Sequence, residues 1–207
     1  MIKPIPPFLF YLIGALLVPF LKGKIKKFYL LIIPALAYLD LLSMPHGTYW
    51  TIKFLDYELI FGHVDKLSMV FAYVFVIISF AALLYALQAE DDVQHFSALY
   101  YAGGALGVAF AGDLFTLYIF WELMAVASVF VIWAQRDREA IRAGFRYVLV
   151  HLFGGCALLA GIVIYAIQTG SIAFSGPLVH GGLGFWLILI GFILNAAVPP
   201  LHPWLPD

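Results

Sequence analysis

Long apolar blocks separated by short polar connections run through most of the chain. Seven such blocks cover residues 6–21, 28–44, 67–87, 96–112, 114–134, 145–168 and a stretch that starts near residue 184. Their lengths suit helices that cross about 30 Å of hydrocarbon, which takes roughly 17–25 residues. The alternating segments of roughly ten residues that form a membrane barrel are missing from the pattern. It therefore predicts an all-α integral membrane protein with about seven transmembrane helices.

Composition supports a membrane protein. Hydrophobic residues make up 64% of the 207 residues and charged residues 11%, and the mean hydropathy is +1.00. A soluble domain carries roughly 25% charged residues, so this chain has too few to cover a water-facing surface. The net charge of -1 gives no indication of a nucleic-acid partner.

The sequence offers no candidate catalytic centre. The single cysteine, Cys156, excludes a disulfide within the chain and a two-cysteine metal or redox motif. A nucleophile paired with a base, a phosphate-binding loop and a metal-ligand cluster are all missing from the sequence. We therefore expect no bound metal or cofactor, and any redox chemistry would belong to partner subunits.

Positive charge is concentrated in two connections that the helix count places on the same side of the membrane. They follow the first and fifth blocks and carry Lys22, Lys24, Lys26, Lys27, Arg136, Arg138, Arg142 and Arg146. The opposite side carries only Lys3, Lys53 and Lys66. Basic loops stay in the cytoplasm, so this asymmetry predicts a multi-pass protein of the cell membrane with its N-terminus outside. The positive cluster follows the first apolar block, so a cleavable signal peptide is not expected.

Two features of the connections and helices predict local structure. The longest connection, residues 45–66, lies outside and contains "TYWTIKFLDYELIFG", whose partial alternation indicates a short hairpin. Small residues recur in the fourth and sixth blocks, at Gly103, Gly107 and Ala111 and at Gly154, Gly155 and Gly161. Small residues at helical spacing allow two helices to approach closely in lipid, so we expect these positions to pack against neighbours.

The seventh block is interrupted. "GFWLILIGFILNAA", residues 184–197, reaches only about 21 Å as a helix and is followed by "VPPLHPWLPD". Pro199 and Pro200 lack amide donors, which predicts that the helix breaks there inside the membrane. Discontinuous helices often mark ion or substrate sites in transporters. Asn195 and His202 flank the break, and each is either satisfied by a local hydrogen bond or part of a hydrated proton path.

Glu122 is the strongest candidate for ion transfer. It is the only side chain charged at neutral pH in the block 114–134. A charged side chain near the bilayer midplane costs roughly 2.5–3.5 kcal/mol on insertion scales, and burial favours the protonated form of a carboxyl group. The alternative is a neutral glutamic acid that is hydrogen-bonded between helices. His151 is the second candidate, because an imidazole exchanges protons near neutral pH. Arg142 and Arg146 either anchor the sixth helix at the interface or polarise nearby water.

Three stretches resemble a known family. They are "GDLFTLYIFWELM" at 112–124, "FRYVLVHLFGG" at 145–155 and "GFILNAAVPPLHPWLPD" at 191–207. On these stretches the chain resembles the antiporter-like subunits shared by respiratory complex I, Mrp-type cation/proton antiporters and membrane-bound hydrogenases. The similarity spans about the last half of the chain, and the first three helices fit by topology alone. It implies one membrane domain, residues 1–207. Residues 1–95 hold the first three helices and the external loop, and residues 96–207 begin the antiporter-like repeat with helices four to seven.

The resemblance also implies roles for single residues. In the family the fifth-helix glutamate, matched here by Glu122, is paired with a lysine on the broken seventh helix. That lysine position is occupied by Asn195, which cannot titrate. Arg146 lies near the basic position of the family's sixth helix. Family members continue through an eighth helix and a second inverted repeat, so either another chain supplies the remainder or this is a truncated accessory copy.

The leading hypothesis is a non-catalytic membrane subunit of a larger assembly that moves protons, or sodium ions and protons. Its predicted path comprises Glu122, His151, Asn195 and His202, supported by Arg146, Pro199 and Pro200. Its expected partners are other membrane subunits and the lipid bilayer, with no nucleic acid. One alternative is a structural subunit that has lost transport. Another is an independent small-molecule transporter.

Overall fold

A computed structural model of the chain describes residues 4–89, 91–174, 181–202 and 204. Within these residues the chain forms seven α-helices and one two-stranded hairpin. In chain order they are α1 (Pro7–Leu17), α2 (Gly23–Leu42), β1 (Gly47–Phe54), β2 (Tyr57–Val64), α3 (Lys66–Tyr85), α4 (Asp92–Phe110), α5 (Leu114–Trp133), α6 (Arg138–Thr169) and α7 (Leu183–Asn195). Short 3₁₀ turns prolong α1 to Phe20 and α3 to Gln88. The helical class is confirmed, and the hairpin corrects the expectation of an all-α chain.

Three of the described helical segments are long and apolar enough to cross a membrane. They are Lys66–Gln88, Leu114–Trp133 and Arg138–Thr169, whereas Pro7–Phe20 and Leu183–Asn195 are shorter apolar helices. The sequence pattern predicts seven crossings, and helix length and composition together support three of them.

The hairpin occupies the long connection in which the sequence predicts it. β1 and β2 pair in antiparallel register from Gly47 opposite Val64 to Phe54 opposite Tyr57. Branched and aromatic side chains suit the pleated surface of such a pair, which explains why this polar-flanked segment forms strands. Trp50 anchors the hairpin to the start of the chain, because its indole Nε1 donates to the Pro4 carbonyl at 2.9 Å.

Four helices begin at an aspartate. The carboxylates of Asp65, Asp91, Asp113 and Asp137 accept hydrogen bonds from backbone N–H groups in the first turns of α3, α4, α5 and α6. A side-chain acceptor at this position satisfies N–H groups that have no partner inside the helix. At the start of α3 the hydrogen bond from the backbone N–H of Ser68 holds the pKa of Asp65 below its usual value.

Glycines set the distances between helices. A Cβ atom built on Gly103 of α4 would lie 2.9 Å from Cδ2 of Leu12 in α1. A Cβ on Gly161 of α6 would lie 2.7 Å from the backbone nitrogen of Ile188 in α7. Both distances are below any normal carbon contact, so these helix pairs approach closely only because the glycines lack side chains. The predicted packing role is thereby confirmed for these glycines, whereas Ala111 lies just after α4, at its C-cap.

One end of the bundle, which we call the basic end, gathers the starts of α2, α4 and α6. Nζ of Lys26 lies 2.7 Å from the Asp92 carboxylate, and Arg136 lies 3.0 Å from the Asp91 carboxylate. These pairs join both lysine- and arginine-rich connections to the first turn of α4. The two positive segments therefore share one end of the bundle, as the helix count predicts.

The opposite end is organised around Asp113, which is 1% exposed. Its carboxylate accepts from the backbone N–H of Ile60 in β2 at 2.6 Å and from the N–H and hydroxyl of Thr116 at 2.8 and 2.6 Å. The next backbone N–H, at Leu114, donates to the Ile172 carbonyl at 2.9 Å. Asp113 thus ties the hairpin, the start of α5 and the segment after α6 together.

The seventh helix ends before its proline pair. α7 spans Leu183–Asn195, and the N–H groups of Ala197 and Val198 bond back to the carbonyls of Leu194 and Ile193 at 3.2 and 3.1 Å. This is the Schellman pattern of a helix C-terminus, with Ala197 in the left-handed region at φ 51°. The predicted break at Pro199–Pro200 is therefore corrected. The helix stops at Asn195, and the prolines follow the turn that ends it.

We expect Ala197→Gly to stabilise the protein by about 1 kcal/mol, because a left-handed backbone costs an alanine about 1–2 kcal/mol and glycine almost nothing. For a chain of this size that corresponds to a rise of about 2–4 °C in melting temperature. Tryptophan fluorescence during thermal unfolding of the purified protein in detergent measures it. The matched control is Ala196→Gly, which has φ −82° and gains nothing from glycine. Equal melting temperatures for the two variants would contradict the assignment.

Candidate functional site

Glu122 projects from the middle of α5 toward α6. A Cβ atom built on Gly155 of α6 would lie 2.9 Å from Cδ of Glu122 and 3.1 Å from its Oε2. The carboxyl group therefore occupies the space that the missing side chain of Gly155 leaves. A larger residue at this point of α6 would overlap the acid in its present position and displace the carboxyl group.

Two tyrosines are close enough to the carboxyl group to interact with it electrostatically. They are Tyr118, one turn earlier on α5, and Tyr147 on α6. No side chain in the described part of the chain is hydrogen-bonded to the carboxyl. A phenol hydroxyl both donates and accepts hydrogen bonds, so the acid lies beside groups that can order water around it.

His151 lies on α6 beyond Tyr147. It is 8% exposed, and its Nδ1 lies 3.0 Å from the Tyr147 carbonyl oxygen. A carbonyl only accepts, so the hydrogen bond places the ring proton on Nδ1 and leaves Nε2 as the proton acceptor. The ring stacks on Tyr147 with centroids 3.8 Å apart, and Trp204 packs on it edge-on at 4.6 Å. These contacts fix the orientation of the imidazole.

Asn195 is the last residue of α7 and lies on the other side of the same glycine pair. A Cβ on Gly154 would lie 3.1 Å from Oδ1 of Asn195. Both polar atoms of the amide are buried, and neither has a hydrogen-bond partner within the described residues. Buried polar groups are almost always satisfied, so this amide marks a place for water or for a group from outside the described chain.

The consecutive glycines Gly154 and Gly155 therefore separate the two predicted site residues. One faces Asn195 on α7 and the other faces Glu122 on α5. Successive residues on a helix point about 100° apart, which is why neighbouring glycines serve two different helices. The predicted role of these glycines in packing is confirmed, and the structure adds that they make room for the site itself.

A groove of about 920 Å³ lies between α3, α4, α5 and α6 and reaches the end of α7. Its lining is mostly apolar, and its side chains with a polar group are Ser79, Tyr85, Gln94, His95, Tyr101, Trp121, Ser128, Tyr147, His151, Asn195 and Trp204. His151 and Asn195 thus share one cavity. Glu122 is not among the lining residues, and it interacts electrostatically with one of them, Tyr147.

The remaining predicted residues lie away from this groove. His202 is exposed and does not line it, and Pro199 and Pro200 form an exposed turn after α7. Arg146 is exposed on α6, about one and a half turns before His151. Within the residues that the structure describes, no three His, Cys, Asp or Glu side chains are placed to hold a metal ion.

Sequence reasoning did not identify several residues of the site. Tyr147 lies four residues before His151, one helical turn away, and that spacing was the available signal. Trp204, whose Nε1 donates to the Leu194 carbonyl at 3.2 Å, covers the histidine after the chain turns at the end of α7. Trp204 contacts His151 on α6, and a pattern along the sequence does not predict such a contact. His95 was overlooked because nothing in its neighbourhood along the chain distinguishes it.

The fold and the site together define a class of protein: a helical membrane protein with a carboxyl group between two helices and a helix that ends before a proline pair. Residues 111–207 match the family model described as NADH:quinone oxidoreductase/Mrp antiporter, TM. The resemblance inferred from the three stretches is therefore confirmed, and the chain is related to the antiporter-like membrane subunits of complex I and Mrp-type assemblies.

Two sequence relatives carry sodium/proton antiporter names. The A1 component of the Na(+)/H(+) antiporter of Staphylococcus aureus is 28% identical over 229 residues, which cover 100% of this chain and 29% of that protein. A component of the Na(+)/H(+) antiporter of Alkalihalophilus pseudofirmus is 30% identical over 161 residues, covering 70% of this chain and 20% of that protein. The chain thus spans less than a third of these relatives.

Solved structures share the fold. A chain of the membrane-bound sulfane sulfur reductase, an archaeal respiratory membrane complex, matches with a TM-score of 0.82 and 23% identity, over 97% of this chain and 46% of that one. A chain of respiratory complex I from Thermus thermophilus matches with a TM-score of 0.82 and 22% identity, over 97% and 45%. The chain therefore has the fold of slightly less than half of each.

Proposed function

We propose that the chain is a membrane subunit that takes part in proton, or sodium and proton, translocation through Glu122. The observation that carries the proposal is the placement of this carboxyl group in the middle of α5, in the gap that Gly155 leaves. A costly acid with a dedicated space inside a membrane bundle suits a group that binds and releases a proton. The sodium/proton antiporter names of the sequence relatives support the same class of ion.

The proton path that we propose runs from Glu122 past Tyr147 to His151 and the groove. Tyr147 links the two because it interacts with Glu122 and stacks on His151. Asn195 takes the place of the family's lysine and binds water or a hydrated proton through its unpartnered amide. It cannot change charge, so in this chain Glu122 titrates without a charged partner on α7.

We place the protein in the cell membrane with seven crossings, the basic end in the cytoplasm and the N-terminus outside. The support is the gathering of both positive connections at one end, through the pairs Lys26–Asp92 and Arg136–Asp91. Residues 1–95 then supply the first three helices and the outer hairpin, and residues 96–207 begin the antiporter-like repeat. His202, at the turn after α7, would extend the path in the assembled protein.

The partners that we propose are other membrane subunits of a larger assembly. The support is that the matched structures are chains of membrane complexes, the sulfane sulfur reductase and respiratory complex I. In this arrangement, the partner subunits carry out redox chemistry or sodium exchange, and this chain contributes a proton path.

Replacing Glu122 by glutamine tests the proposal. The tagged chain is purified in mild detergent with the subunits that accompany it and is reconstituted in liposomes that contain a pH-sensitive dye. A potassium diffusion potential then drives proton uptake. We expect Glu122→Gln to slow uptake by about tenfold or more, because glutamine keeps the shape and cannot carry a proton.

Glu139→Gln is the matched control, since Glu139 is exposed in the first turn of α6 and should leave uptake unchanged. Normal uptake by Glu122→Gln would sink the proposal and favour the structural subunit, which Asn195 in place of a lysine also suggests. A chain that purifies alone and takes up a small solute would favour an independent transporter.

A further inference from the structure

A second buried histidine lies at the basic end of the groove. His95, on the first turn of α4, is 2% exposed and is one of the residues that line the groove. Its Nε2 lies 3.0 Å from the Ala86 carbonyl oxygen, whereas its Nδ1 is buried without a hydrogen-bond partner among the described residues. A buried ring nitrogen without a partner requires an explanation, since such groups are rarely left unsatisfied.

The hydrogen bond to Ala86 decides which nitrogen can accept a proton. A carbonyl oxygen cannot donate, so the neutral ring carries its hydrogen on Nε2 and presents the lone pair of Nδ1. A proton that binds Nδ1 makes an imidazolium, and its release from Nδ1 restores the same tautomer. His95 can therefore take up and release protons repeatedly without turning its ring.

Charged groups connect His95 to the surface. Lys26 of α2 and Asp92 of α4 both interact electrostatically with the ring, and their side chains pair at 2.7 Å. The Lys26 side chain is 10% exposed and the Asp92 side chain is 47% exposed, so the pair connects a largely buried lysine with a carboxylate that reaches the surface. Tyr85 and Tyr101 are the titratable groups that share the groove lining nearest to His95 along α3 and α4.

The groove continues from His95 to the site already described. Tyr101 of α4, Ser128 of α5 and Tyr147 of α6 line it between the two histidines, and Tyr147 interacts with the other two. Its volume of about 920 Å³ leaves room for water, and water would be held beside these hydroxyl groups, since it needs polar partners in a mostly apolar space. Water in this space would join His95 to Nε2 of His151. Nδ1 of His95 is itself buried, so proton exchange with that water requires a local movement of the side chains around the ring.

We propose that His95 is the proton-uptake residue at the basic end. A proton from surface water reaches Nδ1 beside the Lys26–Asp92 pair, and Nδ1 passes it to water in the groove, from which it reaches His151. No bond other than these O–H and N–H bonds forms or breaks. The inference rests on the proposed function and adds the place at which protons reach the path.

The test uses the assembly in liposomes with potential-driven proton uptake and three variants. His95→Gln retains an N–H that can reach the Ala86 carbonyl and cannot bind a proton, and we expect about tenfold slower uptake. His95→Ala leaves a space of the size of the ring, and we expect added imidazole to restore most of the uptake rate that this variant loses. If the role of His95 were purely structural, added imidazole would not restore the rate. His63→Gln, an exposed histidine on β2, should match the unchanged protein.

Three outcomes overturn the proposal. The first is normal uptake in His95→Gln while Glu122→Gln is inactive, which leaves the proposed function intact and removes His95 from the path. The second is slow uptake in both His95 variants with no response to imidazole, which assigns His95 a structural role. The third is an equally large increase in the uptake rate when imidazole is added to the unchanged protein. Normal uptake by Glu122→Gln instead overturns the proposed function. The two His95 variants then still decide whether His95 takes up protons.

Discussion

Gly155→Ala is expected to reduce proton translocation by roughly 10–100-fold, because a new methyl group occupies the position of the Glu122 carboxyl. The added Cβ would lie 2.9 Å from Cδ and 3.1 Å from Oε2 of the acid, well inside carbon and oxygen contact distance. Either the carboxyl moves or α5 and α6 separate. A displacement of about 1 Å in a proton-transfer group can cost about a hundredfold in rate.

The stability of this variant should change much less than its activity. Overpacking costs about 1–3 kcal/mol, and alanine gains about 1 kcal/mol over glycine inside a helix. The two effects partly cancel. Thermal unfolding in detergent and proton uptake in liposomes, measured on the same preparations, separate displacement of the acid from collapse of the fold.

A shorter acid provides the decisive comparison. Aspartate at position 122 withdraws the carboxyl by one methylene group, so Gly155→Ala combined with Glu122→Asp should transport faster than Gly155→Ala alone. Gly154→Ala is the matched control, because Gly154 faces Asn195, with 3.1 Å between its built Cβ and Oδ1. Its defect should not respond to Glu122→Asp. Equal responses in the two glycine variants would show that the space at Gly155 has no specific relation to the acid.

Asp113→Ala is expected to destabilise the protein by about 2–4 kcal/mol, the largest effect on stability that we predict. The variant removes the acceptor of three hydrogen bonds at a site that is 1% exposed. Loss of a helix N-cap costs about 0.5–2 kcal/mol, and a hydrogen bond to a charged group contributes about 1.5–3 kcal/mol. The backbone N–H of Ile60 would also be left without its acceptor.

Asp137→Ala separates the cap from the tertiary contact. Asp137 caps α6 through one bond, from the backbone N–H of Ala140 at 2.6 Å, and lies at an exposed position. We expect it to cost about 1 kcal/mol. The measurement is the midpoint of thermal or denaturant unfolding of the purified chain, followed by tryptophan fluorescence. If the two aspartate variants unfold at the same midpoint, the link from Asp113 to the hairpin contributes nothing.

The sequence alone determined the membrane class, the positions of the helices and the hairpin in the connection 45–66. Each depends on a local or periodic property: an apolar length, a distribution of charge, or an alternation of side chains. The identity of Glu122 as the candidate acid also depended on one local fact, a carboxylate inside an apolar block, and it required no knowledge of neighbouring helices.

The end of α7 shows how a correct local signal misplaces a boundary. The proline pair predicts a break, but the helix ends at Asn195 because Ala197 adopts a left-handed conformation and the N–H of Val198 bonds back to Ile193. An alanine carries no sequence signal for that conformation, which glycine or asparagine usually supplies. The turn is held by the tertiary contact of Trp204 with the Leu194 carbonyl.

Only the tertiary structure decided which residues meet. The pairing of Gly155 with Glu122 and of Gly154 with Asn195 depends on the rotation of α6 about its axis, and packing against α5 and α7 sets that rotation. The same packing brings His95 and His151, 56 positions apart in the sequence, to one groove. Periodicity gives the face of a helix but not its partner, because the partner is fixed by the fit of side chains from distant segments.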